Sequence, residues 1–100
     1  RIYMKEFSED ELVGILEERG CVLIDGFEDA LVSMTAGEDP VAVYDYVGCI
    51  QLVMYLYNVD IEEKDYMDYA AAEKHLWGNI IAPLRMQNRA PIFIEIPSLK

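Results

Sequence analysis

Two short β-branched runs joined by a tight turn, with an apolar helix-spaced stretch directly behind them, constrain this chain more than anything else in it. The runs occupy residues 30–35 and 41–45, and Ala36-Gly37-Glu38-Asp39-Pro40 lies between them. A connection of five turn-forming residues favours an antiparallel hairpin. Behind it, apolar residues fill positions 49, 50, 52, 53, 54 and 56. Cys49, Ile50, Val53, Met54 and Tyr57 follow helical rather than strand spacing. A helix apolar over most of its circumference is expected to be buried from more than one side. The remaining elements read as additions around this strand, turn, strand and helix unit.

Ser8-Glu9-Asp10-Glu11 is a capping box, in which Ser8 and Glu11 satisfy each other's backbone amides. Leu12, Ile15, Leu16 and Arg19 then share one face, so a helix is predicted over 9–19, with Gly20 as its C′ stop. Cys21-Val22-Leu23-Ile24 runs into Asp25-Gly26 and reads as a strand near 21–25 that ends in a turn. Asp60-Ile61-Glu62-Glu63 is a second cap pattern, with acids where a helix dipole favours them. It predicts a helix over 61–77, stopped by Gly78-Asn79, whose stripe holds Tyr66, Tyr69, Ala70, Glu73, Leu76, Trp77 and Ile80. Residues 79–90 read as a loop long enough to be functional. Residues 92–96, bracketed by Pro91 and Pro97, read as an edge strand open to pairing with a second copy. The expected fold is α+β, one domain over 1–100. It has a small antiparallel sheet (near 21–25, 30–35, 41–45 and 92–96) packed on helices near 9–19, 48–57 and 61–77.

Size and charge narrow the function classes. One hundred residues with 53% apolar content can bury one core without staples. The longest apolar stretch, near 47–57, is too short to span a bilayer, and the residues shown, from Arg1 on, contain no signal-peptide pattern. Cys21 and Cys49 sit among apolar neighbours and read as buried thiols. With one histidine and no Cys-x-x-Cys, neither a metal nor another cofactor is expected. Reduced thiols fit the cytoplasm. The net charge of −11 argues against direct nucleic-acid binding, which needs cationic surface.

The charge is also uneven. Between Glu6 and Asp68 there are seventeen acids and two bases; the remainder has two acids and six bases. An acidic body with a mildly basic C-terminal loop suits a protein partner with a basic surface, since complementary charge sets on-rate and specificity. Closely spaced acids could imitate phosphate spacing, and seven tyrosines offer interface-type contact area. The candidate partner-binding residues are Glu62, Glu63, Asp65 and Asp68 on the third predicted helix, with Arg85 and Arg89 in the loop after it.

No complete catalytic motif is present. Glu73 is the weak catalytic candidate: a carboxylate on an apolar stripe between Tyr69 and Trp77 would be partly desolvated, as a general base is. The structural alternative is a pairing with Arg85, Arg89 or a backbone amide. His75 falls on the flank away from the stripe and reads as a surface histidine. Asp25 and Asp45 stand at strand ends, where either a site or a cap uses Asp. Gly26, Gly37 and Gly48 form no phosphate-binding pattern.

Asp25-Gly26-Phe27-Glu28-Asp29-Ala30, then Pro40-Val41-Ala42-Val43-Tyr44-Asp45-Tyr46 leading into Cys49-Ile50, resembles a small protein family encoded mainly by bacteriophages. Its members read DGFEDA, then VAVYDYDKCIEILM, and close on TPIFI. Ala90-Pro91-Ile92-Phe93-Ile94 resembles that closing strand, and Glu73 and Gly78 match a Glu and a Gly of the family's acidic helix. The likeness covers roughly 24–96. Val47 replaces a polar residue of the family, His75 stands where an Asn is usual, and the loop at 83–88 is longer. The resemblance implies a phage or mobile-element origin rather than a mechanism. The expected function is a small acidic binding or inhibitor protein acting on a host protein. Its sharpest form is anti-defence, such as an anti-CRISPR with a nucleic-acid-mimicking face. The alternatives are a toxin-neutralising immunity protein, or a small enzyme or nucleotide-binding protein using Glu73 with Asp25 or Asp45.

Overall fold

The computed structural model describes residues 8–96. The Pro97 end of the last predicted strand lies outside them. Helix α1 (Glu9–Glu18) starts on the capping box: Ser8 Oγ accepts from the Glu11 amide, and Glu11 accepts from the Ser8 amide. It stops at Arg19, and Gly20 takes φ +73°, the left-handed conformation that closes a helix. Leu12 and Leu16 are its buried face.

The sheet has three strands in the order β1 (Leu31–Met34), β2 (Ala42–Asp45), β3 (Ile92–Ile94). β1 and β2 form the expected antiparallel hairpin, with an irregularity between Leu31 and Ser33 that leaves Val32 outside the register. β3 lies at the other edge and pairs with β2 in parallel, Val43 opposite Ile92 and Asp45 opposite Ile94. The α+β class therefore stands, but the sheet is mixed rather than antiparallel. A parallel partner needs a long crossover, and the helices between 46 and 84 supply it.

Residues 21–25 are not a fourth strand. The Cys21 amide is spent on Leu16 O at 3.0 Å, closing α1, and the Ile24 amide donates to the Tyr44 hydroxyl at 2.9 Å. The segment is extended but its hydrogen bonds go to a helix end and a side chain, so no ladder forms. Tyr44 is fully buried, and its ring stacks on Phe93 with centroids 5.8 Å apart.

Helix α2 (Tyr46–Asn58) begins two residues before its predicted start. Cys49, Ile50 and Val53 are buried, but the last turn exposes Tyr55, Leu56 and Tyr57. Burial from several sides therefore holds for its first half only. The helix predicted at 61–77 begins late. Asp60 adopts φ +62° and cannot serve as its cap; a short 3-10 turn occupies Glu63–Asp65. Helix α3 (Tyr69–Leu76) starts instead at Asp68, whose carboxylate accepts from the Ala71 amide at 2.8 Å. Asn58 explains the delay. Its side chain accepts from the Met67 amide (2.7 Å) and donates to Met67 O (3.1 Å), pinning the two ends of the intervening loop.

Gly78-Asn79 does not stop the helix. The chain continues as a wide π turn (Trp77–Ile81) and a last helical turn, α4 (Ala82–Leu84). Pro83 lacks the amide that would bond residue 79, and its ring would crowd that carbonyl in a regular helix. The wide turn, with Ala82 donating to Trp77 O, accommodates it. The loop predicted over 79–90 thus shrinks to the stretch after α4. The core joins α1, the sheet, α2 and α3 through Leu16, Tyr44, Cys49, Ile50, Val53 and Leu76. No helix among the described residues is long and apolar enough to cross a membrane.

Candidate functional site

Two surface regions stand out once the elements are placed. The first is a ridge from the end of α2 to the start of α3. Tyr55, Leu56, Tyr57, Val59, Ile61, Tyr66 and Tyr69 are all exposed, Tyr55 at 67% and Tyr66 at 52%. Interleaved with them are the exposed acids Asp60, Glu62, Glu63, Asp65 and Asp68, against one base, Lys64. Lys64 pairs with Glu62 at 3.5 Å with both side chains largely in water, so it removes little of the field. The predicted helix would have placed Tyr66 and Tyr69 against the core. The pinned loop turns Ile61 and Tyr66 outward instead, and Tyr69 stays exposed on α3.

His75 sits on the flank of this ridge, half-buried. Its Nδ1 accepts from Asn79 Nδ2 at 3.1 Å, which places the proton on Nε2, 3.1 Å from the Tyr57 hydroxyl. The two rings meet edge to face at 4.6 Å. His75 therefore orders the ridge rather than standing free.

The second region is a cleft of about 420 Å³ lined by Tyr46, Trp77, Ile81, Leu84, Arg85 and the segment 90–93. Trp77, Ile81, Leu84 and Arg85 fall on one stripe across the π turn and α4. The Trp77 indole donates to the Tyr46 hydroxyl at 2.7 Å, and that hydroxyl donates to Glu73. Burial, then the neighbouring Glu73 carboxylate, pushes the Tyr46 phenol above its ordinary range. Glu73 thus pairs with neither Arg85 nor Arg89: its partner is a tyrosine from the start of α2. No hydrogen bond among the described residues joins Glu73 to His75, Asp25 or Asp45. Asp25 is exposed in its turn, beside a shallower cavity of about 270 Å³. Asp45 occupies the cap position of α2, its carboxylate lying over Gly48.

The two candidate arginines part company. Arg85 is exposed and lies over the Trp77 ring at 5.2 Å. Arg89 is turned inward: Nη1 donates to Arg19 O at 2.5 Å and Nη2 to Pro40 O at 2.7 Å, with Cys21 Sγ at 3.5 Å. It clamps the end of α1 to the β1–β2 connection and offers a partner little charge. Cys21 and Cys49 are both unpaired thiols. Among the described residues no group of three His, Cys, Asp or Glu side chains is placed to hold a metal ion.

Sequence reasoning missed the cleft because its walls come from three separated segments. The one local signal was the spacing of Trp77, Ile81, Leu84 and Arg85, hidden by reading Gly78-Asn79 as a stop. No protein-family model matches the chain, and neither do any curated proteins or solved structures.

Proposed function

We propose that this chain is a binding protein that uses the acidic, tyrosine-rich ridge to seize a protein partner with a basic surface. The ridge itself carries the reading: large apolar side chains are held out in water on the end of α2, the pinned loop and the start of α3, interspersed with carboxylates. Exposed apolar groups of this kind mark interaction sites when they are contiguous and rimmed by charge. Tyrosines supply contact area at low entropic cost, and the surrounding acids steer a cationic partner and reject acidic ones. Asn58 fixes the loop from both ends, so less ordering is needed on binding. A phage-encoded inhibitor of a host nucleic-acid-binding protein, an anti-CRISPR among them, fits this chemistry, as does an immunity protein that covers a basic toxin. The enzyme reading has less support, since Glu73 is occupied by Tyr46 and meets neither Asp25 nor Asp45.

The test is capture from host lysate with the wild-type chain, a variant combining Glu62→Gln, Glu63→Gln, Asp65→Asn and Asp68→Asn, and Tyr66→Ala. Asn still caps a helix, so the combined variant retains α3. A partner held by the wild type at low salt should be lost at high salt and in both variants. A partner that stays on the neutralised variant refutes the acidic ridge. Displacement of the captured protein's own nucleic acid identifies the mimic form.

A further inference from the structure

The cleft makes a second proposal that does not depend on the ridge. We propose that it binds a small planar aromatic carboxylate. Its volume of about 420 Å³ lies in the range of small-molecule sites, and its walls are aromatic and aliphatic with one charged group at the rim. Trp77 and Tyr46 supply flat surfaces for a ring, and β3 closes the wall beside them through Ile92 and Phe93.

The charge of the ligand follows from Arg85. Among the described residues no carboxylate lies within ion-pair distance of it; the one ion pair there is Lys64–Glu62. In a chain of net charge −11, a guanidinium with no carboxylate partner among the described residues is thus held against an indole at the cleft mouth. The other polar side-chain groups of the walls are already used, because the Tyr46 hydroxyl accepts from the Trp77 indole and donates to Glu73. Recognition by a free polar side chain therefore rests on one planar fork, which matches a carboxylate in bidentate fashion. A phosphate monoester carries close to two charges at neutral pH. Its second charge would find no partner in the cleft and would face an acidic body.

The test uses the single tryptophan. Trp77 gives one indole N–H resonance, and that proton lies in the cleft wall. The whole ¹⁵N-labelled chain is titrated with trans-cinnamate, its neutral amide and phenyl phosphate. Cinnamate should shift the Trp77 resonance saturably, with the amide binding at least about tenfold more weakly, equivalent to ~1.4 kcal/mol. Arg85→Gln, an exposed substitution whose folding the same spectrum reports, should bring acid and amide to equal affinity. Equal binding of acid and amide by the wild type, or no saturation by about 10 mM, equivalent to about −2.7 kcal/mol, overturns the site. So does an Arg85→Gln variant that keeps the preference. Tighter binding of phenyl phosphate overturns the carboxylate assignment.

Discussion

Replacing Arg89 with alanine tests whether one side chain ties the C-terminal loop to the rest of the fold. Its guanidinium donates to Arg19 O (2.5 Å) and Pro40 O (2.7 Å) from a backbone at φ +61°. Alanine keeps the same left-handed cost, so Arg89→Ala isolates the side chain. Each hydrogen bond from a charged donor contributes about 1.5–3 kcal/mol net. Against that, Arg89 Nε is buried without a partner, and removing it returns about 1–3 kcal/mol. Arg19 O is exposed and rehydrates after the change, while Pro40 O keeps the Cys21 thiol at 3.1 Å. The net expected loss is about 2–3 kcal/mol, near the middle of what remains when that return is set against the roughly 3–6 kcal/mol of two such bonds. In a domain of this size that corresponds to a fall in Tm of roughly 10–20 °C. Urea unfolding followed by far-ultraviolet circular dichroism measures it, with Arg89→Lys falling between wild type and alanine because an ammonium can serve one carbonyl. A loss under about 0.5 kcal/mol for Arg89→Ala, the level of an ordinary surface change, would refute the clamp.

Two further changes probe the same framework. Gly20→Ala places a Cβ at φ +73° and 3.3 Å from Arg89 Nη1, and should cost about 1–2 kcal/mol, most of it backbone strain. In the Arg89→Ala background the same substitution should cost less, and full additivity by denaturant titration would remove the contact from the account. Cys49 governs the alkaline limb. It is fully buried, and burial followed by the Asp45 charge pushes its thiol from 9.0 up to about 12. A group raised on folding contributes fully below its unfolded value and loses that contribution as pH rises through the folded one. Stability should thus be level up to about pH 9 and then fall by up to ~1.4 kcal/mol per pH unit toward 12. Tyr44 and Tyr46, both raised first by burial, act in the same direction at higher pH. Cys49→Ala should delay the onset to the tyrosine range; curves that remain parallel between pH 9 and 10 would contradict this.

What could be read from the residues divides along the range of the interactions that decide each element. The capping box of α1, the left-handed Gly20 and the β1–β2 hairpin are each settled within a few residues, and each is found where the pattern put it. The segment 21–25 carries the same short-range pattern as a strand, yet its donors are taken by Leu16 and by Tyr44, twenty residues on from Ile24. The acidic run after Asp60 has good caps for a helix, but Asn58 reaches across to Met67 and holds a loop instead. That one amide side chain converts a presumed core face into the exposed ridge. Gly78-Asn79 looked like a stop because a local reading cannot see that Ile81 is buried in the core and keeps the helix going. The same continuation makes the cleft. Both candidate sites thus arise where a long-range contact overrides a local signal: a ridge where a helix was refused, and a cleft where one was prolonged. The two regions differ in how the sequence concealed them. The ridge acids were counted correctly and placed on the wrong kind of element. The cleft aromatics Trp77 and Phe93 were assigned to a helix and a strand far apart in sequence, and Tyr46 fell between the bounds of a strand and a helix; the placement of β3 beside β2 helps bring the three together.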